Sequence, residues 1–196
     1  METRWEKKLG ISTAAAAFEK DDKNHSRYEP TSYAVLERLA SSGWLSRSDI
    51  LVDYGCGKGR VGFGLNYLAG CRTIGVEYDG RLYEAAMANL RTYAGRRDAV
   101  DFVCQSAEDY IVPPDANCFY FFNPFSVKIL MGVLGRILES YYENPRKMKL
   151  FFYYMLDEYR SLMMTGEDFS YAGEVDCRDL FANEDEKERI VVFRME

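Results

Sequence analysis

The fold of this chain is decided by the stretch Asp53-Tyr54-Gly55-Cys56-Gly57-Lys58-Gly59-Arg60. An apolar run, Ile50–Val52, leads into it, and a helix-like pattern of apolar residues follows it. Glycine at alternate positions permits backbone angles that other residues avoid and lets the main chain approach a ligand closely. The start of a helix adds unpaired N–H groups. A strand, a glycine turn and a helix in this order predict the ligand-binding turn of a doubly wound α/β fold.

The glycine spacing and two acidic residues indicate the kind of ligand. The turn contains G-x-G-x-G preceded by Asp53, whereas a dinucleotide-binding turn contains G-x-G-x-x-G. A carboxylate at this place repels a pyrophosphate but suits an ammonium group. Glu77 ends the next predicted strand, 24 residues after Asp53 (77 − 53), near the offset at which an acid binds ribose hydroxyls in these folds. A glycine-rich turn that binds no ligand is the structural alternative.

The turn and Glu77 together resemble motif I and the ribose-binding acid of class I S-adenosylmethionine-dependent methyltransferases. The resemblance implies that S-adenosylmethionine is the cofactor, with Asp53 near its methionine end and Glu77 on its ribose. It also places Ser106 and Ala107 beside adenine, although Ser106 stands where the family often has an acid, which Glu108 or Asp109 could replace. The cofactor-binding residues expected from the turn and the second strand are Asp53, Gly55, Cys56, Gly57, Gly59, Glu77 and Tyr78.

The sequence Asn123-Pro124-Phe125 follows the predicted fourth strand and resembles motif IV of amino-group methyltransferases. That motif commonly has a second proline, which is missing here. The resemblance implies that Asn123, which is also expected to touch the cofactor, Pro124 and Phe125 form the catalytic site. In the family, the Asn side chain accepts a hydrogen bond from the substrate amine. Alternatively, Asn123 and Pro124 only end the strand and Ser126 caps the next helix.

The N-terminal part of the chain is predicted to be a separate extension, residues 1–27, helical and partly flexible, before a methyltransferase domain at 28–196. Similar methyltransferases place such a segment over the cofactor, so Tyr28 and Thr31 are candidate cofactor contacts, with a purely structural role as the alternative. Thr31 or Ser32 can cap the helix that follows. His25 is the single histidine, and a lone histidine is more often a surface residue than a catalytic base.

The remaining pattern predicts an α/β fold with a doubly wound, mostly parallel sheet of seven strands, an antiparallel C-terminal hairpin strand, and helices on both faces. Helices are expected at about 58–68, 81–93, 127–141 and 157–164. The predicted strands are Ile50–Tyr54, Thr73–Glu77, Val100–Cys104, Cys118–Phe122, Leu150–Met155, Phe169–Cys177 and Arg189–Arg194.

Composition restricts the function classes. The chain has 196 residues, 47% of them hydrophobic, and a net charge of −6, so it is expected to be globular and not a broad electrostatic binder of nucleic acid. Five cysteines without a C-x-x-C pair argue against a metal site or disulfides. No apolar run reaches the roughly 20 residues of a membrane span, and the first residues lack the apolar core of a secretion signal. A cytoplasmic protein is expected.

We therefore expect an S-adenosylmethionine-dependent methyltransferase with an unidentified acceptor. A small-molecule or protein amine is favoured, nucleic acid is not excluded, and the oligomeric state is expected to be monomer or homodimer. The alternatives are a non-catalytic module that binds the cofactor or a partner, and a nucleotide-cofactor oxidoreductase. The oxidoreductase would need G-x-G-x-x-G and a pyrophosphate near Asp53.

Overall fold

The structure, a computed structural model, describes residues 2–14, 28–182 and 185–196. His25 and most of the predicted N-terminal extension lie outside these residues. The described elements are six α-helices and seven strands: α1 Glu2–Leu9, α2 Tyr33–Ser41, β1 Ile50–Tyr54, α3 Arg60–Ala69, β2 Arg72–Glu77, α4 Gly80–Thr92, β3 Val100–Cys104, β4 Cys118–Phe121, α5 Val127–Glu143, β5 Met148–Tyr153, α6 Asp157–Thr165, β6 Ser170–Asp176 and β7 Arg189–Met195.

All seven strands form one sheet in the order β3-β2-β1-β4-β5-β7-β6. Strands β1 to β5 pair in parallel, and β7 lies antiparallel between β5 and β6. The chain therefore starts at a central strand and reverses direction across the sheet between β1 and β4. Such a reversal opens a crevice at the carboxyl ends of the strands, which is where ligands bind in open α/β sheets. The predicted fold class is confirmed.

Apolar side chains cover both faces of the sheet. Alternate residues of β1 point to opposite faces, so Leu51 joins one hydrophobic cluster and Val52 joins the other. One cluster takes side chains from α5 and α6, and the second takes them from α1, α2 and α3. Trp5 and Leu9 of α1 lie in the same cluster as Tyr33 of α2. The predicted division of the chain at residue 27 stays a prediction.

Strands β4 and β5 end earlier than predicted next to unusual backbone angles, and β6 ends one residue early, at Asp176. Asn123 and Tyr154 have positive φ angles of 43° and 51°, values that turn the backbone out of the extended region. Strand β4 therefore ends at Phe121 and β5 at Tyr153, each one or two residues short of its predicted end. Helix α3 begins two residues later than predicted because its N-cap, Gly59, is left-handed with φ 87°. No helix in the described ranges is long and apolar enough to cross a membrane.

Candidate functional site

A cavity lies at the carboxyl ends of β1, β2 and β4, at the crevice that the strand order creates. Its wall contains ten of the residues predicted for the site: Tyr28, Thr31, Asp53, Gly55, Cys56, Glu77, Tyr78, Ala107, Pro124 and Phe125. These residues come from five separate stretches of sequence, which the fold brings to one place. Among the described residues, Gly57, Gly59, Ser106 and Asn123 were predicted for the site but do not line this cavity.

The glycine turn is packed against other parts of the chain. Gly55 and Gly57 have φ angles of 73° and 55°, which strain any residue with a side chain. A Cβ at Gly55 would lie 2.4 Å from Cβ of Pro124, and one at Gly57 would lie 2.1 Å from Cε2 of Tyr28. The sequence interpretation left this space for a ligand, whereas side chains of the protein fill it. Glycine is needed here so that Tyr28 and Pro124 can approach the turn from two sides.

Glu77 is fixed against the turn by two backbone hydrogen bonds. The Gly57 N–H donates to Oε2 of Glu77 at 2.8 Å, and the Asp79 N–H donates to Oε1 at 2.9 Å. A carboxylate oxygen can accept a second hydrogen bond, so both oxygens retain acceptor capacity toward the cavity. Burial is the main cause that raises the pKa of Glu77. The two carboxylate oxygens of Glu77 are thus held in place as hydrogen-bond acceptors, an arrangement that can bind two neighbouring hydroxyl groups.

Asp53 is the most deeply buried acid of the cavity. Asp53 is only 3% exposed, and its Oδ2 has no hydrogen-bond partner among the described residues. Burial, and then the charge of Glu77, raise the pKa of Asp53 to about 8. A buried carboxyl without a partner is costly. A cation bound beside it would supply the missing hydrogen bonds and favour its ionised form.

A cluster around Arg60 holds the N-terminal segment beside the glycine turn. The buried Arg60 side chain donates to Oγ1 of Thr13 at 2.7 Å and forms ion pairs with Glu2 and Glu6 of α1. Its guanidinium also lies 4.7 Å from the ring centroid of Tyr33. Arg60 also lines the cavity and was not among the residues predicted for the site. An arginine directly after the third glycine was the available signal, but its partners are far away in sequence.

Tyr28 and Thr31 lie at the cavity, as predicted, and both also have structural partners. The Tyr28 hydroxyl donates to the Thr13 carbonyl oxygen at 2.6 Å. Thr31 Oγ1 lies 3.2 Å from the Tyr120 hydroxyl, and Lys58 Nζ lies 5.4 Å from the Tyr28 ring centroid. Ser32, not Thr31, caps α2 by accepting from the Ala34 N–H. Tyr28 and Thr31 thus have structural partners at the cavity wall, and their cofactor contacts stay predictions.

The stretch after β3 meets the cavity through residues other than the expected acids. Gln105 and Ala107 line it, whereas Ser106 does not. The Glu108 side chain is directed toward α5, with its Oε1 3.3 Å from a Cβ built at Gly132. Asp109 is exposed and is likewise absent from the lining among the described residues. Glu108 and Asp109 are thus not positioned to replace the acid that the family often has here.

Asn123, Pro124 and Phe125 form the end of the cavity nearest to β5. Pro124 and Phe125 line it, and the Asn123 side-chain amide donates to the Tyr154 carbonyl oxygen at 2.7 Å. The Phe125 carbonyl oxygen accepts from the Tyr159 hydroxyl at 2.5 Å. Ser126 occupies the N-cap position of α5, as the structural alternative for this motif expects, but its side chain makes no capping hydrogen bond. Among the described residues, there is no group of acids, cysteines or histidines that could hold a metal.

Comparison with known proteins supports the fold assignment. No family model matches the chain. One curated protein, a histone-lysine N-methyltransferase specific for H3 lysine-79 from Dictyostelium discoideum, is 38% identical over 68 residues. That match covers 35% of this chain and only 4% of the relative.

Solved structures match over most of the chain at low identity. An RNA methyltransferase from Salinibacter ruber, in complex with S-adenosyl-L-homocysteine, has a TM-score of 0.54 at 20% identity and covers 85% of this chain and 92% of its own. A TehB-like SAM-dependent methyltransferase from Corynebacterium glutamicum has a TM-score of 0.56 at 18% identity, with 82% and 88% covered. Mitomycin 7-O-methyltransferase has a TM-score of 0.62 at 14% identity, with 84% and 54% covered. The chain has the Rossmann-like fold of class I S-adenosylmethionine-dependent methyltransferases.

Proposed function

We propose that this protein is an S-adenosylmethionine-dependent methyltransferase. The observation that carries the proposal is the pair of buried acids on one cavity wall, Asp53 without a partner at Oδ2 and Glu77 held by two backbone amides. S-adenosylmethionine has an ammonium group and two neighbouring ribose hydroxyls, which are the chemical partners that these two acids need. The cofactor therefore fits the residues present.

The bound cofactor would supply an electrophilic methyl group. A lone pair of the acceptor would form the new bond to the methyl carbon, and the electron pair of the broken C–S bond would stay on sulfur. The work of the protein is then to hold the two reactants in line and to exclude water. Asp53 would bind the ammonium, Glu77 the ribose, and Ala107 would lie beside adenine. Pro124 and Phe125 would face the methyl group, and Asn123 would contact an amine acceptor. Amine acceptors are favoured because Asn123-Pro124-Phe125 resembles the amino-group motif.

Two features argue against the other readings of the fold. A nucleotide-cofactor oxidoreductase would bring a pyrophosphate to the turn beside Asp53. The Asp53 carboxyl has no partner at Oδ2, and its ionised form would repel the pyrophosphate. Pro124 and Phe125, which would face the acceptor, line the same cavity as Asp53 and Glu77. A module that only binds the cofactor has no need for acceptor-facing residues beside these acids. Solved relatives with this fold act on RNA or on mitomycin, as their names state, so the fold alone leaves the acceptor open.

The test is calorimetric titration with S-adenosylmethionine and S-adenosylhomocysteine. Wild-type protein should bind both saturably, and Glu77→Gln should bind at least tenfold more weakly because hydrogen bonds to a charged acceptor contribute roughly 1.5–3 kcal/mol. Asp101→Asn, which neutralises an exposed acid that pairs with Arg72, is the matched control and should bind like wild type. Folded wild-type protein that binds neither compound, or that binds NADH instead, would refute the proposal.

A further inference from the structure

A second groove adjoins the cavity at its acceptor end. The two spaces share three lining residues, Glu29, Pro30 and Phe122. Asn123 lines the second groove, and its neighbours Pro124 and Phe125 line the cavity. A molecule in this groove would therefore lie next to the site at which the methyl group is expected. We call this space, lined in addition by Tyr153, Tyr154, Asp185 and Glu188, the acceptor groove.

The wall of the acceptor groove is aromatic. The rings of Phe122 and Tyr153 pack with their centroids 4.7 Å apart, and those of Tyr153 and Tyr154 are 6.4 Å apart. Phe181 adds a further ring. Faces of aromatic rings attract cations through their quadrupole, and this attraction grows when the cation is partly desolvated.

Three carboxylates complete the wall: Glu29, Asp185 and Glu188. No lysine or arginine is among the described residues that line it. The two cations next to Glu188 in sequence have other partners, since Lys187 lies 3.4 Å from Asp157 and Arg189 pairs with Glu174 at 3.2 Å. The groove is thus a region of negative charge bordered by rings, and this combination is complementary to a cation.

Hydrogen bonds from the tyrosines orient two of these acids. The Tyr154 hydroxyl donates to Oδ2 of Asp185 at 2.6 Å, and the Tyr153 hydroxyl donates to Oε2 of Glu188 at 2.5 Å. The bond from Tyr154 is the main cause that lowers the pKa of Asp185, and it raises the pKa of Tyr154 to about 12. Asp185 is therefore ionised at neutral pH, and the tyrosines remain donors.

We propose that the acceptor groove binds the methyl acceptor as a cation, an alkylammonium group held by Asp185, Glu188 and the aromatic rings. This inference rests on the proposed function and specifies the class of acceptor. A bound ammonium gives one proton to water before its nitrogen lone pair forms the bond to the methyl carbon. The alkylammonium group can belong to a free amine or to a lysine side chain. Anionic acceptors such as RNA are excluded from this groove by its charge.

The experiment measures binding, not turnover, in protein saturated with S-adenosylhomocysteine. Three probes are titrated by calorimetry: 1,5-diaminopentane, a neutral-capped peptide with one lysine, and a single-stranded RNA oligonucleotide. At least one ammonium probe should bind saturably. Tighter binding of 1,5-diaminopentane would indicate a free amine as the acceptor, and tighter binding of the peptide would indicate a lysine side chain. Asp185→Asn/Glu188→Gln should weaken that binding about tenfold, since it removes two half-buried carboxylates that would pair with the ammonium group. Both substitutions retain an oxygen that can accept the tyrosine hydrogen bonds.

The matched control is Glu84→Gln/Glu143→Gln, which removes two exposed acids outside the groove and changes the net charge equally. It should bind the ammonium probe like wild type. Equal weakening in both double variants, absence of binding by either ammonium probe, or preferential binding of the RNA would overturn the inference. Loss of S-adenosylhomocysteine binding in wild-type protein would instead refute the proposed function, so the two failures are distinguishable.

Discussion

The unusual ionisation of Asp53 predicts that cofactor affinity depends on pH. With a pKa of about 8, roughly one Asp53 side chain in eleven is ionised at pH 7 and about one in a hundred at pH 6. If the ammonium of the cofactor binds the ionised form, binding at these pH values releases a proton. The affinity for S-adenosylhomocysteine should therefore rise about ninefold from pH 6 to pH 7, which corresponds to about 1.3 kcal/mol.

The same shift has a defined effect on stability without ligand. The folded pKa of Asp53 lies above the value of an unfolded aspartate, so the folded state holds the proton more tightly. Its contribution is fully present below pH ~4 and is lost as pH rises toward 8, at up to about 1.4 kcal/mol per pH unit. Asp53→Asn should remove this slope, which denaturant unfolding at pH 5, 6 and 7 would measure.

Calorimetry in two buffers with different ionisation enthalpies tests the binding prediction directly. Wild-type protein should release about 0.9 proton per bound S-adenosylhomocysteine at pH 7, since this fraction of Asp53 is protonated beforehand. Asp53→Asn should bind more weakly and with little pH dependence, whereas Asp101→Asn should keep the wild-type dependence. An affinity that is equal at pH 6 and 7 in wild type, or a ninefold rise that persists in Asp53→Asn, would refute the assignment of the ammonium to Asp53.

Two further predictions concern stability. Gly57→Ala should destabilise the fold by about 3 kcal/mol in denaturant unfolding, because Ala is strained at this left-handed φ and its new Cβ would clash with the Tyr28 ring. Gly43 is also left-handed, at φ 83°, but has open space around it. Gly43→Ala should therefore cost only about 1 kcal/mol. Tyr54→Phe should leave the free energy of unfolding unchanged or raise it slightly, because that buried hydroxyl has no partner among the described residues. Tyr93→Phe should lose about 1–2 kcal/mol, because its hydroxyl lies 2.9 Å from two acceptors.

Each pair contains its own control. Equal losses for the two glycine substitutions would mean that the ring contact adds no cost beyond the backbone angle. Equal losses for the two tyrosine substitutions would mean that both hydroxyls are hydrogen-bonded, the unpaired one through water. Either result would contradict the corresponding reasoning.

The positions of Asp53 and Glu77 were predictable because their signals are local. Asp53 lies between an apolar strand and a glycine turn, and Glu77 ends the next apolar run, so pattern alone placed both at adjacent strand ends. The parallel pairing of these strands then brought the two acids to one cavity. The predicted bounds of β1 and β3 also agree with the structure.

The contacts of Arg60 and of the acids in the acceptor groove were not predictable, since they join residues that are distant in sequence. Arg60 meets Glu2 across 58 residues of sequence and Thr13 across 47, and no periodicity reports such pairs. Asp185 and Glu188 lie outside every predicted strand, helix and motif. They face Tyr153 and Tyr154 because β7 pairs with β5, an arrangement fixed by sheet topology. The left-handed angle at Tyr154 is likewise not signalled by residue type, since tyrosine rarely adopts a positive φ.

The position of β7 between β5 and β6 has a consequence for the order in which the protein matures during synthesis. Strands β2 to β5 can each pair as soon as they have left the ribosome, because each has a neighbouring strand that is already made. Strand β6 precedes in sequence the strand with which it pairs, so it must wait for β7. The loop that contains Asp185 and Glu188 is placed only when β7 inserts. A nascent chain can thus complete the cavity that contains Asp53 and Glu77 before the proposed acceptor groove exists.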